Sequence, residues 1–179
     1  MCAAAALLPS ARADVFISEV MASNGYFESG HAWDWVELYN DGAKAADLSG
    51  WYLSDSKKDP LKWSFPQGTK LSAGKYLTVF CTGEDGLDPG KGSTFYAPFA
   101  ISAAGETLIL SDASGAEVQR LKLPAQYGCV SYGLPWKGTE YGYLENPTRN
   151  RQNDGEAFPG RTEAPRFTVS GGFYQGSVT

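Results

Sequence analysis

Asp34-Trp35-Val36-Glu37-Leu38-Tyr39-Asn40 reads as a β-strand. Trp35, Glu37 and Tyr39 share one face, with Trp33 just ahead of them, and Val36 and Leu38 share the other. Alternation with period two marks a strand with at least one buried face. Glu37 lies among large rings, so it is expected to be exposed, or paired if its face turns inward. Asp34 and Asn40 bracket the run and suit turns. Asp41-Gly42 turns the chain, and Asp47-Leu48-Ser49-Gly50 leads into Trp51-Tyr52-Leu53-Ser54-Asp55. Trp51 offers an apolar plug for an interior, and Gly50, like Gly68, suits backbone angles that other residues avoid.

The same patterning extends on both sides. Val15 to Val20 is a strand with Val15, Ile17 and Val20 toward the core. After the turn come Lys62 to Phe65, a strand from Tyr76 to Cys81, a mixed run from Phe95 to Ile101, and a strand from Glu106 to Ser111. Asp112-Ala113-Ser114-Gly115 is a hairpin-type turn into Glu117 to Leu123, whose Val118, Leu121 and Leu123 alternate imperfectly. Val130 to Gly133 is read as the last strand. No segment holds a 3.6-residue period, so short strands joined by turns predict an all-β sandwich or barrel.

Composition narrows the function. The chain has 179 residues, 42% of them hydrophobic, enough for one domain with a core of its own. A net charge of −5 opposes general nucleic-acid binding, and no run of about 18 apolar residues exists to span a membrane. Residues 1–13 read as the end of an export signal, apolar and Ala-rich, with a small-x-small pattern at Ala11-Arg12-Ala13. The expected location is therefore secreted or cell-surface. Cys2 falls in that signal, which leaves Cys81 and Cys129 either to pair or to stay separate, with Cys81 a small buried apolar residue. Asn146 to Arg161 is polar and turn-rich, like a linker. Ala164 to Val169 then resumes strand character, and Gly171-Gly172-Phe173-Tyr174 follows.

The order of motifs resembles the lamin tail domain, a family with an immunoglobulin-like β-sandwich fold. The resemblance rests on Ile17-Ser18-Glu19-Val20, the heptapeptide Asp34 to Asn40, and Asp47 to Asp55. It continues through Trp63 to Gly68, Leu71 to Leu77 and Gly105 to Leu110, and covers about residues 15–150. Secreted bacterial members tend to carry Pro-Thr-Pro-Gly-x-x-Asn near their end; Pro147-Thr148-Arg149-Asn150-Arg151-Gln152-Asn153 keeps part of it. The resemblance implies a domain over 14–150, and a linker with the first strand of a truncated second β-domain over 151–179. It also implies a non-catalytic interaction or scaffolding module of a larger secreted or cell-surface protein. The alternatives are a carbohydrate-binding module, or an accessory domain of a surface hydrolase or kinase-like enzyme.

Catalytic and metal signals are sparse. His31, the one histidine, lies in a polar loop away from any strand-borne nucleophile, and zinc spacing is lacking. No cofactor is expected. Asp85 and Asp88, with Glu84, are weak calcium candidates, as are Asp55 and Asp59. Carboxylate pairs of the kind that hydrolyse glycosides are not singled out by any cleft signal. Aromatics are the better clue, because exposed rings stack on sugars and mark partner surfaces. Tyr26 and Trp33, beside Phe27 and Trp35, form one group, and Trp136, Tyr141 and Tyr143 another; the expected partner is a protein or a glycan. Trp35, Trp51 and Trp63 are expected in the core.

Overall fold

Turn residues punctuate this chain so often that its strands stay short. In the computed structural model, which describes residues 14–28 and 30–162, these are β1 (Val15–Met21), β2 (Asp34–Asn40), β3 (Ala46–Asp47), β4 (Tyr52–Ser54), β5 (Trp63–Ser64), β6 (Lys70–Leu71) and β7 (Tyr76–Cys81). There follow β8 (Gly90–Lys91), β9 (Thr94–Ala97), β10 (Thr107–Ser111), β11 (Glu117–Lys122), β12 (Ser131–Gly133), β13 (Gly142–Leu144) and β14 (Ala157–Phe158). The large sheet runs β14-β13-β12-β1-β2-β7-β9-β8, the smaller one β11-β10-β4-β5, and β3 pairs with β6. The fold is the expected all-β, immunoglobulin-like sandwich. The expected export signal over residues 1–13 and the expected strand from Ala164 fall outside the described residues.

The two sheets close on one core. Val36 and Leu38 of β2, Leu77 and Val79 of β7, Leu53 of β4 and Leu108 and Leu110 of β10 are all fully shielded within it. Two irregular patterns now have a cause. In β1, Ile17 pairs with Leu38 while Glu19 pairs with Glu37, so Ser18 is an extra residue in a bulge. The bulge resets the alternation, which lets Val15, Ile17, Val20 and Ala22 all face the core. In β11 the register shifts at Val118 in the same way. The mixed run after β8 is also explained. Phe95, Ala97, Phe99 and Ile101 all reach the core, but Pro98 has no N–H to give, and β9 stops at Ala97. β9 lies parallel to β7, which requires the long polar connection between them.

Several expectations are corrected. Trp63 is in the core and Trp35 is buried on the other face of the sheet, but Trp51 is only half-buried against the core rather than plugging it. Gly50 and Gly68 do occupy left-handed conformations, at φ 70° and 82°. Cys81 is buried, and both it and Cys129 are free thiols. Val130 to Gly133 does not end the fold, because β13 and β14 extend the large sheet past β12. Residues 146–158 are therefore no linker. Thr148 and Asn153 are buried and Ala157 pairs with Leu144. Their polarity marks partners inside the fold instead of water.

Candidate ligand sites on the outer face of the large sheet

The face of β1, β2 and β7 turned away from the core carries three cross-strand rungs. Strand register sets them: Phe16 lies opposite Tyr39 and Tyr39 opposite Tyr76; Glu19 opposite Glu37 and Glu37 opposite Thr78; Met21 opposite Trp35 and Trp35 opposite Phe80. An apolar rung thus flanks a polar one on either side. Directly opposed side chains are the closest neighbours a sheet offers, so opposed glutamates need relief.

Relief comes from a strap, residues 146–153, laid over the middle rung. Glu19 and Glu37 are both 0% exposed. Glu19 accepts hydrogen bonds from Ser131 Oγ (2.5 Å), Thr148 N (3.0 Å) and Thr148 Oγ1 (2.9 Å). Glu37 pairs with Ser18 Oγ (2.8 Å) and accepts from Asn150 N (2.5 Å). Asn153 locks the strap down. Its amide donates to the carbonyls of Ser18 (3.0 Å) and Leu134 (2.9 Å), and its Oδ1, 2.7 Å from Thr148 Oγ1, shares that hydroxyl's single proton with Glu19. Asn150 takes a left-handed backbone, φ 66°, a conformation that suits Gly and that Asn tolerates. Burial dominates the electrostatics. It raises the pKa of Glu19 above its usual range against the donors of Ser131 and Thr148, and pushes Glu37 up to about 8. The acids are sealed beneath the strap, so a substrate bond has no route to them in this conformation.

The flanking rungs open into two cavities. Beside Met21, Trp35 and Phe80 lies a cleft of about 950 Å³. Trp33 crosses Tyr96 edge-on at 5.7 Å between ring centroids, and His31 stacks on Trp33 at 3.9 Å. The rim carries Tyr26, 57% exposed, and Phe27, 78% exposed. Arg149 fixes that rim: its guanidinium sits 4.9 Å over the Phe80 ring and pairs with Glu28. Asn24, Asn146 and Arg151 add polar groups to the lining. The second cavity, about 310 Å³, adjoins Phe16, Tyr39, Tyr76 and Trp136 at the opposite end of the face.

The predicted residues scatter over these features. Tyr26 and Trp33 line the large cleft and Trp136, 44% exposed, the small one. Tyr143 is 5% exposed and donates to the Ala125 carbonyl, which makes it structural and withdraws it as a contact residue. Tyr141 is likewise held inside: its hydroxyl donates to the Ile17 carbonyl, accepts from Gln119 Nε2, and its ring packs on the core. The calcium candidates do not converge. Asp88 caps Gly90 in a turn, Asp55 pairs with Lys62, and among the described residues no three acidic, His or Cys side chains are placed to hold a metal. Sequence reading missed Glu19, Tyr76, Tyr96 and Arg149 as parts of the outer face. Period two gives each residue's face, but it does not tell which strand lies beside it.

The Lamin Tail Domain family model matches residues 9–124 of the chain. No curated protein matches it.

Proposed function

The chain belongs to the lamin tail domain family, a family of non-enzymatic immunoglobulin-like domains, and from that premise we propose that it is an interaction module of a secreted or cell-surface protein, with the large aromatic cleft as its contact surface. The observation that carries this reading is the rim of Tyr26 and Phe27. Two large rings stand in water although a cleft lies beside them, and Arg149 and Glu28 hold their loop in place. Exposed aromatics beside a cleft are common anchors of a binding surface. The export-signal pattern at Ala11-Arg12-Ala13 supports a place outside the cell.

The lining favours a glycan. Ring faces stack on the apolar side of a sugar, while Asn146 and Arg151 offer donors and acceptors for its hydroxyls. A glycan array and a polysaccharide pull-down on the full chain test this. Retention is expected, and the Tyr26→Ala/Phe27→Ala double variant is expected to weaken it at least about tenfold. The change in stability stays within about 0.5 kcal/mol, because both rings are exposed. Retention that the double variant leaves intact places the surface elsewhere. If no glycan binds, a photo-crosslinking residue at position 27 that captures a protein keeps the interaction reading and discards the sugar.

A further inference from the structure

The large cleft does not end at its rim. Asn150 lines it and also lines a groove of about 450 Å³ beside β6 and β7, together with Lys70, Lys75 and Ser93. The chain joins the two as well, because Thr94 of β9 borders the cleft and Ser93, just before it, the groove. One path therefore runs from the rings of Tyr26 and Phe27, across the strap, to β6 and β7. Charge is sorted along it. The chain carries −5 overall, yet the path is lined by Arg149, Arg151, Lys70 and Lys75 against one acid, Glu28. Arg149 and Glu28 satisfy each other. Lys70 lies opposite Asp47 in the β3–β6 ladder, so these two offset in part. Arg151 and Lys75 are exposed, and neither side chain has an ion pair or hydrogen bond among the described residues. Arg151 acts on Glu19, but that acid lies sealed beneath the strap. Asp41 and Asp154 act on Tyr76, which borders the groove, but neither lines the path. Asn150 is exposed too. Its N donates to Glu37 and its Oδ1 accepts from Thr78 Oγ1, while its Nδ2 has no partner among the described residues.

We propose that cleft and groove together bind an acidic polysaccharide, a chain of sugars bearing carboxylates, with its rings stacked at the cleft and its carboxylates held by Arg151 and Lys75. The proposal rests on the glycan reading of the cleft and names the class of glycan. A neutral sugar gives the Arg151 guanidinium no charge to meet, whereas a carboxylate accepts two parallel hydrogen bonds from it. Lys75 adds a point charge farther along the path. Unpaired cations spread along a groove, with no acid left over beside them, draw in a polymer whose negative charge repeats. Cleft and groove each have the volume of a small-molecule site, so joined they take several sugar units. Nucleic acid is the other common polyanion, but the net negative charge of the chain repels a long phosphate backbone.

Affinity electrophoresis and calorimetry on the full chain decide it, with polygalacturonate, polymannuronate and hyaluronate, each beside its methyl-esterified form, which keeps the sugar and masks the charge. At least one acid form is expected to bind about tenfold more tightly than its ester, with affinity falling as salt rises from about 50 to about 300 mM. Arg151→Gln and Lys75→Gln are each expected to weaken the acid form about threefold, and together about tenfold, without affecting the ester. Lys57→Gln, which removes the same charge from an exposed position after β4 of the other sheet, is expected to change nothing. Tyr26→Ala/Phe27→Ala is expected to weaken acid and ester alike. Equal binding of acid and ester overturns the proposal and leaves the glycan reading standing. An absence of binding by every acid form overturns it too, and the neutral glycans of the array then decide the broader reading on their own. Acid binding that neither Arg151→Gln nor Lys75→Gln weakens overturns it as well, as does tighter binding of single-stranded oligothymidylate than of every uronate.

Discussion

Raising the pH from about 5 to about 9 is expected to destabilise this domain, and Glu37→Gln to remove most of the loss. An unfolded Glu gives up its proton near pH 4.5, whereas folded Glu37 holds its proton up to about 8. Between those values the native state binds more protons than the unfolded state, so stability falls as pH rises. The contribution is complete below pH 4.5 and gone above about 8. Its ceiling is about 5 kcal/mol, from about 1.4 kcal/mol per pH unit. Glu19, Asp34 and Glu106 are raised too, each chiefly by burial, and act with the same sign. Asp47 and Asp112 are lowered by serine hydrogen bonds, so their effect is felt only as pH falls below the window, near and under 3.8. The geometry accepts a proton on Glu37. With Asn150 N donating to Oε2, Oε1 can carry the hydrogen and donate it to Ser18 Oγ, while that hydroxyl turns to the Glu37 carbonyl at 3.3 Å. Gln copies this arrangement with its amide. Glu19 accepts from Ser131 Oγ and Thr148 N, and shares the single proton of Thr148 Oγ1 with Asn153 Oδ1. Thermal unfolding of wild type and Glu37→Gln across that range checks the claim. A flat or rising wild-type profile sinks it, as does an unchanged slope in the variant.

Much of this arrangement was legible in the heptapeptide. Alternation put Val36 and Leu38 on one face and Trp35, Glu37 and Tyr39 on the other, which the structure keeps, but it did not say which face met the core: Trp35 was expected there, and Val36 and Leu38 take that place. It also posed the right question about Glu37. The answer lay in residues more than a hundred positions away, Asn150 and its strap, and no local pattern points there. Glu19 was hidden for a related reason. The bulge at Ser18 breaks period two, so Val15 to Val20 gave the core residues but left Glu19 without an assigned neighbour. Tyr141 and Tyr143 misled because a ring near turns looks the same in sequence whether its hydroxyl meets water or a buried carbonyl. The signature expected from the resemblance shows how close the tail came to being readable. Of the positions it retains, Pro147, Thr148 and Asn153, the last two are the strap's side chains that help seal the acids. Arg149 and Asn150, where it departs, instead anchor the cleft rim and cap Glu37.

That division of labour makes Asn153 the sharpest test of the strap. Asn153→Ala is expected to cost about 3 kcal/mol, a drop in Tm of about 10 °C. Three hydrogen bonds are lost at once, to Ser18 O, Leu134 O and Thr148 Oγ1, all in buried surroundings. The Ser18 carbonyl keeps its bond from Leu134 N, but the Leu134 carbonyl loses its donor, and an unsatisfied buried acceptor costs more than a mean hydrogen bond returns. A linker residue at this place changes stability by less than about 0.5 kcal/mol, so a small effect discards the strap altogether. The consequence also spreads. Trp136 N donates to the Asn153 carbonyl, and Thr148 depends on the Asn153 side chain for its orientation against Glu19. Loosening Asn153 admits water to the acid rung, and desolvation is what raises both Glu19 and Glu37. Asn153→Ala is therefore expected to shrink the pH dependence as well as the stability, a coupling that a substitution in the opposite sheet, such as Leu121→Ala in β11, does not produce.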